Sequence, residues 1–107
     1  MNESEFNERV EETLLKIEED IDDSGADIDY ENVAGILTLT FEDDSQIIIN
    51  RQSAMKQLWV AAKSGGYHFD WDDEAGGWLR DSDGAPLFDV LTEVMLDHDP
   101  TPFRFSQ

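Results

Sequence analysis

The chain has 107 residues, with 26 acidic side chains against 7 basic ones and a formal net charge of −19. This length predicts a single domain with one hydrophobic core, and the charge excludes nucleic acid and anionic membrane surfaces as expected partners. With no cysteine, the sequence excludes disulfides, a thiolate metal site and a cysteine nucleophile. Its two histidines are far apart in sequence, which disfavours a conventional zinc site. It shows neither a targeting leader nor an apolar run of membrane-spanning length, so we expect a cytoplasmic protein.

The N-terminal segment, about residues 4–23, has the spacing of an amphipathic helix. Asn2 or Ser4 can cap its start, and Gly25 tolerates the left-handed conformation that ends many helices. Apolar residues recur every three or four positions and form one stripe: Phe6, Val10, Thr13, Leu14, Ile17 and Ile21. Acidic residues fall broadly opposite: Glu8, Glu11, Glu12, Glu19, Asp22 and Asp23. This pattern predicts an ordered helix with an acidic outer ridge rather than a disordered acidic tail.

The central segment, within about residues 27–80, has the two-residue period of β-strands. A short strand at residues 27–31 places three acids on one face: Asp27, Asp29 and Glu31. Residues 35–63 predict a three-stranded antiparallel meander with hairpin-length breaks, in which the third strand covers residues 55–62. Further strands follow at 67–71 and 78–80. One face of the meander is apolar, and the other is mostly polar: Thr38, Thr40, Asn50, Gln52, Gln57 and Trp59.

The C-terminal segment predicts a second helix over about residues 86–98, with Pro86 in its first turn, followed by an irregular tail at 99–107. Its apolar face is broad: Leu87, Phe88, Val90, Leu91, Val94 and Met95. The order helix, five to seven strands, helix predicts an α+β fold in one domain over residues 1–107. We expect a two-layer sandwich, with the N- and C-terminal helices packed on one face of a twisted antiparallel β-sheet.

Two pairs of carboxylates on the first helix are candidate metal ligands. Glu18 and Asp22 stand four residues apart, as do Glu19 and Asp23, so each pair lies on adjacent turns of one face. Carboxylates without imidazole or thiolate favour hard cations such as ferric iron, magnesium, calcium or manganese, and ferrous iron more weakly. Few protein ligands would reach one ion, which predicts micromolar binding of roughly 8 kcal/mol. On these residues alone, a solvated face for solubility or partner steering is an equal alternative.

Trp59 shares the strand parity of Gln57 rather than that of Leu58 and Val60, which predicts that it lies on the open face. Tryptophan on a strand is more often a core residue, but an exposed indole is typical of an interface anchor. His68 is a lone strand histidine, usually structural or solvated, and we assign it no role. No nucleophile–base pair is evident, so we expect a non-enzyme.

Several segments together resemble the frataxin family, specifically its bacterial members. They are the acidic helix end EEDIDD, followed by GILTLTF, IIINRQ, QLWVAAKSGGYHFD and the closing PLFDVL. The resemblance covers roughly residues 4–96 and is most specific over residues 47–70. It implies an iron-binding protein that modulates iron–sulfur cluster assembly. Such a protein acts with a cysteine desulfurase and its scaffold protein, as an iron supplier, a regulator of desulfurase rate, or both.

The same resemblance favours metal binding by the acids. It implies weak, surface-bound ferrous or ferric iron, for which other divalent or trivalent cations can substitute, and a monomer in the absence of metal. The main candidate ligands are Glu18, Glu19, Asp22 and Asp23, with weaker ones at Glu8, Glu11, Glu12, Asp27, Asp29 and Glu31. The family resemblance also implies a partner-binding surface made of Trp59, Asn50, Arg51, Gln52 and Gln57.

Two function classes therefore stay open. One is a metal-binding regulator or supplier for cluster assembly, and the other is an acidic interaction module whose metal binding is incidental. A third class, an iron-storage or ferroxidase protein, would need a buried carboxylate–histidine centre that the sequence does not indicate.

Overall fold

Helix α1 spans Glu3–Ser24 in a computed structural model that describes residues 1–25 and 28–98. Asn2 caps the helix, because its side chain accepts a hydrogen bond from the backbone N–H of Glu5 at 2.8 Å. Gly25 ends it in the left-handed conformation at φ 68°. The predicted apolar stripe is buried along its whole length: Phe6, Val10, Thr13, Leu14, Ile17 and Ile21. The amphipathic helix predicted from residue spacing is confirmed.

Six strands form one antiparallel sheet in which each strand pairs with the next along the chain. Their bounds are β1 Asp29–Val33, β2 Ile36–Thr40, β3 Gln46–Gln52, β4 Gln57–Ala62, β5 Gly65–Asp72 and β6 Gly77–Arg80. Leu37 lies opposite Ile49, which lies opposite Val60, so a row of buried apolar side chains crosses the central strands. Residues of the other parity lie on the opposite face.

Two strands begin later than the sequence predicts. β1 starts at Asp29, whereas the predicted strand began at residue 27, outside the described residues. β4 starts at Gln57 because the chain turns just before it. Lys56 has a positive φ of 51°, and its N–H donates to the carbonyl oxygen of Ser53 at 3.2 Å. This turn occupies positions that the sequence pattern assigned to the strand.

Helix α2 spans Leu87–His98 and completes the core. Pro86 forms an antiparallel bridge with Leu79, which holds the start of the helix against β6. The buried residues of α2 join the same apolar cluster as α1 and the sheet: Leu87, Val90, Leu91, Val94 and Met95. The predicted α+β sandwich, with both helices on one face, is confirmed, while the predicted tail at 99–107 lies outside the described residues. In residues 1–25 and 28–98, no helix is long and apolar enough to cross a membrane.

Candidate metal-binding and partner-binding surfaces

The acidic ridge is the outward face of α1, defined by Glu8, Glu11, Glu12, Glu18, Glu19, Asp22 and Asp23. All of these are exposed except Glu18, which is half-buried. Their position follows from the helical period, since the opposite stripe is buried in the core. The last turn of α1 carries no basic residue, so the carboxylates there add to the negative end of the helix dipole. This end of the ridge is an attractive surface for cations.

Strand β1 holds two of the ridge carboxylates. The Tyr30 hydroxyl donates to Oδ2 of Asp22 at 2.8 Å, and Nδ2 of Asn32 donates to Oε2 of Glu18 at 3.2 Å. The hydrogen bond to Asp22 is the main cause of a raised Tyr30 pKa, because losing the phenol proton would leave two anions in contact. Glu18 and Asp22 are therefore oriented along the seam between α1 and β1.

Glu19 and Asp23 form the second pair and are fully available. Both are exposed, and neither has a hydrogen-bond or ion-pair partner among the described residues. Across the described parts of the chain, no three carboxylate, imidazole or thiolate groups converge closely enough to hold a metal ion. The donors on this helix therefore fit a hard cation that keeps most of its water ligands.

The weaker candidates divide between two surfaces. Glu8, Glu11 and Glu12 share the exposed face of α1 with the main pairs. In β1, Tyr30 lies opposite the buried Leu39 and Glu31 lies opposite Thr38. Side chains alternate along a strand, so Asp29 and Glu31 lie on the face of the sheet away from the helices. The remaining candidate, Asp27, lies outside the described residues.

A second surface is centred on Trp59, on the open face of the sheet. In the β4–β5 register, Trp59 lies opposite His68, and Gln57 lies opposite Asp70; we call these four residues the Trp59 quartet. Nε1 of Trp59 donates to Oε1 of Gln57 at 3.0 Å, and Nε2 of Gln57 donates to Oδ1 of Asp70 at 3.2 Å. The His68 ring stacks on the indole, with ring centroids 4.3 Å apart and planes inclined by 20°. The indole remains partly exposed, on the face that its parity predicts.

Other members of the predicted partner surface lie beside the quartet. Asn50 is opposite Trp59, and Gln52 is opposite Gln57, so all share the open face. Asn50 is exposed and Gln52 half-buried. Gln57 is only 7 % exposed, and its amide oxygen accepts a hydrogen bond from the indole N–H.

Arg51 is separated from this surface. It lies opposite the buried Leu58 and therefore on the helix side of the sheet, because successive strand residues alternate. Its Nη1 donates to Oδ1 of Asn7 in α1 at 2.8 Å. Its guanidinium packs on Gly35, where a Cβ atom would lie 2.7 Å from Nη2. Grouping Arg51 with Trp59 on one surface is thus corrected: Arg51 ties α1 and the β1–β2 turn to β3.

His68 and Asp70 are the members of the quartet that the sequence interpretation missed. The signal was present in the hairpin itself, where Ala62 lies opposite Gly65 across a tight turn. Counting outward from that pair places His68 against Trp59. Two residues further from the turn on each strand, Asp70 lies opposite Gln57, which accepts from the indole N–H.

Two helices on one face of a six-stranded antiparallel sheet, with the acids concentrated on the first helix, define a frataxin-like protein. A solved structure has the same fold, namely "Frataxin from Psychromonas ingrahamii as a model to study stability modulation within CyaY protein family". The likeness has a TM-score of 0.92 at 36% sequence identity and covers 100% of both chains.

Sequence comparisons agree with the fold. The family model for the Frataxin-like domain matches residues 1–98. A relative named "Iron-sulfur cluster assembly protein CyaY" from Ectopseudomonas mendocina (strain ymp) is 41% identical over 107 residues, which are 100% of this chain and 97% of the relative. A relative of the same name from Vibrio cholerae serotype O1 (strain M66-2) is 47% identical over 102 residues, 95% of this chain and 96% of the relative. The chain belongs to the frataxin family.

Proposed function

We propose that this protein binds iron and modulates iron–sulfur cluster assembly, as an iron supplier, a regulator of the cysteine desulfurase–scaffold complex, or both. The observation that carries the proposal is the exposed acidic ridge of α1 in a chain whose relatives are named for iron–sulfur cluster assembly. The proposed role is not enzymatic. It requires a protein that presents a cation and contacts its partners, which two separate surfaces of this molecule can do.

Iron enters this proposal as cargo. Glu19 and Asp23 offer carboxylate oxygens that have no partner within residues 1–25 and 28–98. Glu18 and Asp22 each already accept one hydrogen bond. Oxygen ligands of this kind prefer ferric over ferrous iron and discriminate weakly among hard cations. Water completes the coordination shell, so release to a stronger site on a partner has a low barrier.

The partner contact is proposed to use both surfaces. The ridge is suited to a basic patch, since long-range attraction speeds association and weakens as salt screens it. The exposed part of Trp59 is suited to a short-range contact, because a large aromatic ring is a frequent interface anchor. The ridge lies on the helix layer and Trp59 lies on the open face of the sheet. A partner complex that contacts both must therefore extend around an edge of the sheet, or contact each surface with a different subunit.

Iron titration followed by backbone amide signals tests the metal site. We expect the earliest changes at Glu18, Glu19, Asp22 and Asp23, and a variant with all four changed to Gln or Asn should bind about tenfold more weakly, or roughly 1.4 kcal/mol. A control with the same charge change but no ridge acid should bind like the parent: Glu3→Gln, Glu5→Gln, Glu74→Gln and Glu93→Gln. Equal weakening in both variants would mean that net charge, and not the ridge, attracts the ion.

The second candidate function is an acidic interaction module whose metal binding is incidental. It is favoured by the lack of an enclosing metal site in the described residues and by the hydrogen bonds that already occupy Glu18 and Asp22. The two functions differ in one result. Under the interaction-module function, affinity for the desulfurase is unchanged when iron is added or chelated.

A further inference from the structure

We propose that Gln57, His68 and Asp70 are positioning residues that hold the Trp59 indole in the orientation used for partner contact. This inference rests on the proposed function, in which Trp59 meets the desulfurase–scaffold complex. Its basis is the geometry of the Trp59 quartet, in which two directly opposed pairs of β4 and β5 bring the four side chains together. The indole is held along one edge by a hydrogen bond and across one ring face by a stack.

The hydrogen-bonded edge of the indole depends on Asp70, which acts through Gln57. Gln57 is 7 % exposed, so both ends of its amide need partners. Its Nε2 donates to Asp70, which directs its Oε1 toward the indole N–H. A carboxylate only accepts, so Asp70 selects this one orientation of the amide. Without Asp70, the amide is free to turn its NH₂ group toward the indole N–H, and two donors would then face each other.

The stacked face depends on His68. Its ring lies nearly parallel to the indole at a centroid separation of 4.3 Å, within the range of favourable aromatic pairs. Its Nδ1 lies 3.7 Å from Oδ2 of Asp81, a second contact that restrains the ring. The stack is an aromatic contact, so a phenyl ring at position 68 should replace it and a methyl group should not.

Holding a large side chain before binding reduces the entropy that the complex must overcome. Ordering one such side chain on association weakens binding by about three- to tenfold. Removing Asp70 or His68 should therefore weaken partner binding by that factor, mainly through faster dissociation, even if neither residue touches the partner.

The test measures two quantities in the same full-length variants. The first is the NMR order parameter of the Trp59 indole N–H in the free protein, which reports picosecond-to-nanosecond motion. The second is affinity for the purified cysteine desulfurase–scaffold complex. The informative variants are Asp70→Ala, His68→Ala and His68→Phe. Asp73→Ala is the matched control, because Asp73 accepts from the indole of Trp71 at 2.7 Å and not from that of Trp59.

We expect Asp70→Ala and His68→Ala to lower the Trp59 order parameter and to weaken binding three- to tenfold. His68→Phe and Asp73→Ala should match the parent in both measurements. Asp70 is exposed, and an unchanged melting temperature for Asp70→Ala confirms that only the local arrangement has changed. If that variant melts lower, His68→Phe against His68→Ala supplies the same comparison.

Two outcomes would overturn the inference, and a third would overturn the proposed function on which it rests. Weaker binding with an unchanged indole would mean that these residues contact the partner directly. A mobile indole with unchanged binding would mean that its orientation is irrelevant. Failure of the parent protein itself to bind would overturn the proposed function, and this outcome is distinguishable because it appears before any substitution is made.

Discussion

Neutralising the free pair of ridge acids should stabilise the protein, and the structure sets the size of the effect. The perturbation is the double variant Glu19→Gln and Asp23→Asn, which removes two carboxylates that are exposed and without partners among the described residues. It eliminates three like-charge pairs at three- or four-residue spacing: Glu19–Asp22, Glu19–Asp23 and Asp20–Asp23. Each such pair destabilises a helix by about 0.2–0.5 kcal/mol.

The helix dipole adds to this effect. Asp23 lies in the last turn of α1, where an anion is unfavourable by about 0.3–1 kcal/mol. The double variant should therefore gain about 1–2.5 kcal/mol. A domain of this size gains about 4 °C or more in melting temperature for each kcal/mol. The gain should shrink in 1 M salt, where the screening length falls to about 3 Å.

Thermal melts at low and high salt measure the effect, with Glu3→Gln and Glu5→Gln as the control. That control removes the same number of charges, but from the first turn of α1, where acids are favourable. It should melt at or below the parent temperature. The reasoning is refuted if the ridge variant fails to melt higher at low salt, or if the control gains as much. The first result would mean that the acids are structurally stabilised, and the second that only net charge matters.

Three further results are expected. Thr13→Val should lower the free energy of unfolding by about 1–3 kcal/mol, because the buried indole N–H of Trp78 donates to the Thr13 hydroxyl at 2.9 Å. Denaturant melts measure this change, and Thr13→Ser, which keeps the hydroxyl, should avoid most of the loss. Asp22→Asn should lower the Tyr30 pKa toward its ordinary value of 10.0, as an NMR titration of the Tyr30 ring would show. Since the folded Tyr30 pKa is raised, this bond stabilises the parent fully below about pH 10 and is lost as the pH rises through the folded value. Trp59→Ala should weaken desulfurase binding by about 2 kcal/mol while the protein remains folded, and an unfolded variant would place the indole in the core.

The periodicity of the chain was sufficient to predict the fold because burial dominates its stability. The apolar stripe of α1 marked the docked face from Phe6 to Ile21, and every member is buried. Strand parity likewise placed Trp59 on the open face, because Leu58 and Val60 must reach the core. Such patterns indicate which side of a helix or strand faces the core. They do not indicate which polar groups form hydrogen bonds with one another.

The sites were less predictable for that reason. Parity alone puts Arg51 beside Ile49 on the helix side, yet the family resemblance placed it with Trp59. The hydrogen bonds from Tyr30 and Asn32 to the ridge depend on how α1 crosses β1, which no local pattern encodes. Residue type alone predicts no role for His68, because its aromatic partner Trp59 lies on the neighbouring strand. Pairwise register, and not residue type, creates the Trp59 quartet.

Cluster formation on the scaffold protein is the most direct measurement of the proposed role. Purified cysteine desulfurase, scaffold, cysteine and iron would be followed with and without this protein, at several iron concentrations. The proposed function predicts that the parent changes the rate of cluster formation in an iron-dependent way. A variant with Glu18, Glu19, Asp22 and Asp23 neutralised should lose most of that effect. A parent protein that leaves the rate unchanged, or a neutralised variant with the full effect of the parent, would contradict it.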